Sequence, residues 1–466
     1  MSARLSQPVR LWRVQHTQLC KEEFFRMEKF FKLKERGTTV KTEIIAGLTT
    51  FMTMAYVLAV QPSAIVGFGP DPFITDVNGV VISKQAILIM CALISGLVTL
   101  FMGLYANFPF ALSTGMGTNF LLGAMLQSGQ LSFGAMMAIV LISGVIFVLL
   151  SVFGIRDLIV RMIPKNIKVA ISASIGFFIA YLGFKNTGIG TYADGIGMGD
   201  FTQPSVILAL VGLLIIAVLT AFKVKGAILY GIVAVTVLGI PFGVTQLPAS
   251  IFEVPSFATV SNVCFNFDFK GLLSGSTLVL IFIAFFGDFF STLGTVLGVA
   301  GKAKMLDEDG NLPGIQKPFL VDAVGTVVGA CTGNTTITTF VESSAGVEAG
   351  GRTGLTALVT SACFLLATFL SPLFVIIPDA ATGPALIFVG FLMISGITEV
   401  DFSNFSEAFG PFVMIMFGTF CGSIATGIAA GILAHVFIKV LTGKFKEIHP
   451  GMYVLCVPLI MYFIFN

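Results

Sequence analysis

Residues 333–354 read GNTTITTFVESSAGVEAGGRTG, a polar stretch set among long apolar runs. It carries Glu342 and seven Ser/Thr, and no aliphatic run long enough to cross a bilayer. Thr335 to Val341 are mostly Thr, Ile, Phe and Val, which favour extended chain, and Ser343 to Gly350 suit a short helix. At membrane depth, irregular backbone survives only where it is buried in protein or lines a cavity. An acidic side chain there costs a few kcal/mol or more, so it marks a functional site. The stretch therefore reads as a strand followed by a half-helix, with Glu342 at the junction facing a substrate. A polar loop on the membrane surface is the alternative.

A second stretch answers it. Residues 107–127, NFPFALSTGMGTNFLLGAMLQ, also start extended, pass through Ser113, Thr114, Gly115, Gly117 and Asn119, and end as an apolar helix. Two interrupted hydrophobic segments at corresponding places in two halves point to a transporter's binding site.

Composition agrees with a membrane setting. The 466 residues are 56% hydrophobic and 11% charged, with a mean hydropathy of +0.98, whereas a soluble domain is about 25% charged. The fold expected is an all-α polytopic membrane protein. Its apolar segments fall near 43–66, 84–105, 109–127, 133–153, 167–184, 204–222, 226–246, 272–299, 319–332, 336–350, 354–376, 383–398, 409–424 and 425–441. A last piece, 452–465, is short for a span and suits the interface. With the amino terminus cytoplasmic, only Lys84, Lys185 and Lys270 among all Lys and Arg fall outside.

About fourteen segments divide as seven plus seven, and an odd number per half inverts the second half. The broken segments are the third and the tenth, which is third in its half. The expected plan is a tail over 1–42, a first repeat over 43–246, an extracellular linker over 247–271, an inverted second repeat over 272–441 and a carboxy-terminal tail over 442–466. The amino terminus is basic, without the early apolar core of a signal peptide. Residues 1–26 read either as a cytoplasmic tail or as an extension upstream of a start at Met27.

Asp288 sits in the middle of the eighth segment, flanked by Phe285, Phe286, Phe289 and Phe290. A carboxylate there must be protonated, paired or hydrated, which suits proton coupling; a carboxylate tying two helices together is the structural alternative. Thr292 lies one turn on, on the same face. Asp322, near the start of the ninth segment, is either a further coupling group or a pairing and capping residue. Together Asp288 and Glu342 offer acceptors for a planar heterocycle with ring N–H and amino donors. Half-helix starts at Gly115–Asn119 and Ser343–Gly346 would supply N–H donors, and Phe289 and Phe51 are candidates to stack on the ring. The seven Cys and three His form no metal-ligand pattern, and HExxH and GxxxxGK[ST] motifs are absent.

Four stretches carry a family likeness: AGLTTFMTMAYVLAVQP (46–62), FPFALSTGMGTN (108–119), GDFFSTLGT (287–295) and TGNTTITTFVESSAGVEAGGRTGLTA (332–357). On these the chain resembles the AzgA-like purine permeases of the nucleobase–ascorbate/uracil permease group. The resemblance implies a fourteen-helix inverted repeat with core and gate domains, importing hypoxanthine, guanine or adenine with protons. It also implies base binding by the residues that match Asp288 and Glu342. Ser291 stands where the family commonly has a second acid, and Ser113, Thr114 and Thr118 depart from the usual third-segment motif. The expected partners are a purine nucleobase and membrane lipids, with a homodimer left open and no nucleic acid. The coupling ion would be the proton, with no other cofactor, and the location the plasma membrane. The rival readings are an anion permease of the same architecture, a channel, and an intramembrane enzyme, for which no nucleophile–base or metal set is present.

Overall fold

The computed structural model describes residues 27–465 except 70, 154–163, 193–194, 249, 271–274, 308–311, 395–396, 399 and 422–423. The tail over 1–26 and the basic residues Arg156 and Arg161 lie outside the described residues. The first half comprises α1 (Val40–Met54), α2 (Val57–Val66), the hairpin β1 (Phe73–Thr75) and β2 (Val81–Ser83), α3 (Lys84–Phe101), β3 (Leu112–Thr114), α4 (Met116–Gln127), α5 (Phe133–Val152), α6 (Lys165–Asn186), the short strands β4 (Gly190–Thr191) and β5 (Gly197–Met198), α7 (Pro204–Ala221) and α8 (Ala227–Gly239). After α9 (Phe257–Val260) come α10 (Gly275–Lys302), α11 (Gln316–Cys331), β6 (Ile337–Thr339), α12 (Ser343–Glu348), α13 (Gly354–Phe369), α14 (Ser371–Val375), α15 (Asp379–Ile394), α16 (Phe405–Phe420), α17 (Ile424–Leu441) and α18 (Pro450–Phe465).

Local sequence accounts for many of the boundaries. Thr39, Ser83, Ser132 and Thr353 each accept an N–H of the first turn that follows, at α1, α3, α5 and α13. Pro204 opens α7. Among the described residues, six helices are long and apolar enough to cross a membrane: Val40–Val66, Lys84–Ala106, Phe133–Val152, Asn166–Asn186, Pro204–Ala221 and Leu280–Lys302. Other apolar helices are shorter. The first apolar run is divided at Ala55–Tyr56 and the eleventh after Phe369.

The packing is that of an inverted repeat. Helix α3 packs on α13, and its counterpart α11 packs on α5; α1 packs on α13, and α10 on α5. These elements, with α2, α4 and α12, form the core bundle. The gate bundle joins α6 to α15, α7 to α8 and α16 to α17, with α6 against α16 and α15 against α7 as a matching pair. The α6–α15 contact is made by backbone approach: a Cβ on Gly390 would lie 2.5 Å from Gly176 O, and one on Gly383 would lie 3.2 Å from Gly183 O. Helix α18, expected at the interface, buries Met452, Leu455 and Leu459 and packs against α10 and α17.

On the axis between the halves, the two broken segments meet. Strands β3 and β6 pair antiparallel with Leu112 opposite Thr339, Ser113 opposite Thr338 and Thr114 opposite Ile337. Gly115 N–H to Thr336 O (2.7 Å) and Phe340 N–H to Ala111 O (3.0 Å) extend the ladder. A two-stranded ribbon inside a membrane protein leaves two unpaired edges, and each edge must be satisfied. Thr99 of α3 does this for β3: its hydroxyl accepts Leu112 N–H at 3.0 Å and donates to Leu112 O at 3.1 Å. Thr326 of α11 does the same for β6, accepting Ile337 N–H and donating to Ile337 O, both at 3.1 Å.

Candidate functional site

A cavity, partly continuous with the outside, lies between the two bundles at the ribbon. The core wall is polar. Helix α10 presents Ala284, Asp288, Ser291 and Thr295, one stripe at helical spacing; β6 and the turn after it present Thr338, Thr339, Phe340 and Glu342. Gly115, Met116, Gly117 and Thr118 come from the start of α4, and Tyr56 from the junction of α1 and α2. The gate wall is apolar: Ile175 on α6, Val389, Leu392 and Met393 on α15, and Ile428 on α17.

The two carboxylates nominated to bind the base therefore share one cavity. Asp288 Oδ2 accepts from Thr326 Oγ1 at 3.0 Å. Glu342 Oε1 accepts from the Tyr56 hydroxyl at 2.7 Å. Sequence reading did not single out Tyr56; a lone phenol in the apolar run 51–66 was the available signal.

The helix starts differ from expectation. The N–H groups of Ser343, Ser344 and Ala345 are already bonded to Phe340, Val341 and Glu342 carbonyls in the tight turn that opens α12. They offer nothing to a ligand. At α4 the chain enters from an extended strand, so no such turn forms. Asn119 N–H bonds to Gly115 O, and the N–H groups of Met116, Gly117 and Thr118 meet no acceptor among the described residues. The Thr336 hydroxyl, fully buried and lining the same wall, likewise has no hydrogen-bond partner among the described residues. The cavity thus carries two carboxylate acceptors and a free hydroxyl from the second repeat and backbone donors from the first.

Several nominated residues stand behind the wall. Thr292 Oγ1 donates to Asp322 Oδ2 at 2.8 Å and also contacts Thr338 Oγ1. Asp322 Oδ1 accepts from Thr339 N–H at 2.9 Å and from its hydroxyl at 3.2 Å. Ser343 Oγ accepts from Ala111 N–H at 3.0 Å. The Asn119 amide donates to Gln61 Oε1, joining α4 to α2. The two stacking candidates do not line the cavity. Phe289 is fully buried against Phe147 and Phe285, because a residue one position beyond Asp288 turns about 100° around the helix toward α5. Phe51 packs edge-on to Phe364 at 5.2 Å. Phe340 and Tyr56 are the aromatic side chains that line the wall beside Glu342.

A polytopic inverted repeat holding a largely apolar cavity, with two carboxylates on one wall, between a core and a gate bundle is the arrangement of a transporter rather than of an enzyme. The chain belongs to the permease family whose profile, Xan_ur_permease, matches residues 41–429. It is 36% identical over 430 residues to the adenine permease AdeQ of Escherichia coli (strain K12), covering 91% of this chain and 93% of that relative. It is 37% identical over 443 residues to the guanine/hypoxanthine permease PbuG of Bacillus subtilis (strain 168), covering 94% and 100%. Among solved structures, the transmembrane domain of the cyanobacterium bicarbonate transporter BicA superposes with a TM-score of 0.59 at 14% identity, covering 84% of this chain and 97% of that one. That likeness is one of fold.

Proposed function

We propose that the protein imports purine nucleobases (hypoxanthine, guanine, adenine or a subset) across the plasma membrane as a proton-coupled secondary transporter. The observation that carries this reading is the pairing of Asp288 and Glu342 with the open N–H groups of Met116–Thr118 in one cavity. A purine presents ring N–H donors on one edge and ring nitrogen or carbonyl acceptors on another. Two carboxylates and a helix start match that distribution. The names of the relatives at 36–37% identity point the same way. An anion permease is disfavoured by two carboxylates in the cavity, although the fold is shared.

In this reading residues 43–246 and 272–441 are the two repeats, the amino terminus is cytoplasmic, and the gate bundle rocks against the core to give alternating access. Asp288 or Glu342 takes the proton. The test is uptake of radiolabelled hypoxanthine, guanine, adenine, xanthine and uracil in a transport-deficient host, with and without a protonophore. Protonophore-sensitive purine accumulation that Glu342→Gln abolishes supports the reading. A protein that reaches the membrane yet accumulates no base refutes it.

A further inference from the structure

The Thr326 hydroxyl has one proton and two acceptors for it. Oγ1 lies 3.0 Å from Asp288 Oδ2 and 3.1 Å from Ile337 O, while it accepts Ile337 N–H at 3.1 Å. A hydroxyl offers one donor and two lone pairs. Among the described residues the hydroxyl of its counterpart Thr99 bonds only to Leu112, so the first repeat keeps the edge-capping threonine without the carboxylate.

We propose that Thr326 is a positioning residue through which the protonation state of Asp288 is passed to strand β6; this rests on the proton-coupled reading above. With Asp288 ionised, Thr326 O–H donates to Oδ2 and the Ile337 carbonyl loses its edge partner. With Asp288 protonated, the carboxylic O–H donates to the second lone pair of Thr326 Oγ1. Thr326 then turns its own proton to Ile337 O. One proton is gained by Asp288, none is lost elsewhere, and the edge of β6 becomes fully bonded. Strand β6 carries Thr338 and Thr339 into the cavity and is hydrogen-bonded to β3, so the change reaches the wall that meets the substrate.

The other titratable groups near this wall are accounted for. Glu342 is held by Tyr56, and Asp322 by Thr292 and Thr339. Glu348 of α12 pairs with Lys302 at the far end of α10. Helices α4 and α5 carry no titratable residue, α6 faces the cavity with Ile175, and α18, which packs on α10, carries Tyr453, bonded to Phe445 O, and the buried Cys456, neither of which lines the cavity.

The experiment is the pH profile of radiolabelled hypoxanthine uptake by whole cells expressing wild type, Thr326→Val, Thr326→Ser, Asp288→Asn and the Asp288→Asn/Thr326→Val double variant. Loss of a charge-assisted bond to the ionised carboxylate is expected to move the profile midpoint of Thr326→Val to higher pH by about one unit. Thr326→Ser is expected to keep the wild-type midpoint, and the double variant to match Asp288→Asn. If the valine form does not reach the membrane, Thr326→Cys, with a weak donor of similar size, is expected to shift the midpoint in the same direction by less. An unmoved midpoint in the valine form, or the cysteine form in its place, overturns the proposal, because a merely structural role lowers uptake at every pH alike. So does a serine form shifted as far as valine. Wild-type uptake that ignores pH overturns the coupling reading itself.

Discussion

The Tyr56 hydroxyl donates to Glu342 Oε1 at 2.7 Å, tying the junction of α1 and α2 to the point where the tenth segment turns from strand to half-helix. The contact ends a continuous stripe. Thr42, Ala46, Thr50 and Thr53 lie along the same face of α1, where Gly346, Gly350 and Gly351 allow the chain around α12 to sit against it. A Cβ on Gly346 would fall 2.1 Å from Thr50 Oγ1. Tyr56 therefore holds the Glu342 carboxylate from a helix that is itself fixed.

Tyr56→Phe removes one hydrogen bond to a charged group and no volume. Such bonds contribute about 1.5–3 kcal/mol, so the KM for the preferred base is expected to rise ten-fold or more, with surface expression unchanged. In a Glu342→Gln background the same change is expected to weaken base binding by the purified protein less than two-fold further. Additive losses in that double-mutant comparison would count against the coupling.

Asp322 accepts from Thr292 and from the N–H and hydroxyl of Thr339, away from the cavity lining. Asp322→Ala strands the buried Thr339 N–H, at a cost of roughly 1–3 kcal/mol. The expected outcome is a lower thermal unfolding midpoint in detergent, with the pH profile of the remaining uptake unmoved. A displaced profile with unchanged stability would instead make Asp322 a coupling residue.

Gly390 faces the Gly176 carbonyl across the α6–α15 contact, and Gly287 on the cavity wall has nothing within 4 Å of a built Cβ. Gly390→Leu forces the two helices apart and is expected to abolish the monodisperse peak in size-exclusion chromatography of solubilised protein. Gly287→Ala is expected to preserve it. Equal behaviour of the two variants would refute the close-packing argument.

At one end of the molecule a single glycine is held from both sides. Gly69 N–H donates to Asp379 Oδ2 of the gate helix α15 at 2.6 Å, and Lys84 Nζ of α3 donates to Gly69 O at 2.6 Å. Gly69 has φ +114°, a conformation that side-chain-bearing residues rarely adopt. Asp379→Ala breaks this tie between the bundles. A bond of this class displaced from one end state shifts the balance of states by ten- to a hundred-fold. Uptake rate in whole cells is expected to fall about ten-fold with the protein still folded, and an unchanged rate would mean the tie is not broken during transport.

Much of the fold is legible in the chain because bilayer solvent imposes simple rules. Length, hydropathy and the Lys/Arg distribution give the segments and their parity, and the density of Thr and Gly at 107–127 and 333–354 marks where regular helix must fail. Asp288 and Glu342 stand out because a carboxylate in an apolar run has few inexpensive explanations. What that reasoning misplaces is direction around a helix. Phe289 and Thr292 are near Asp288 in sequence, yet one turns into the α5 contact and the other into Asp322.

The sequence by itself determined the class, the two interrupted segments and the two cavity carboxylates, since hydrophobic matching and the cost of buried charge are local properties. Only the tertiary structure decided which donors those carboxylates and backbones meet. That Tyr56 reaches Glu342 and that Thr326 meets Asp288 are outcomes of helices far apart in the chain being brought within about 3 Å, whereas α12 spends its N–H groups in the local turn that opens it. Hydrogen bonds act over that distance alone, so their partners are fixed by packing and not by spacing along the chain.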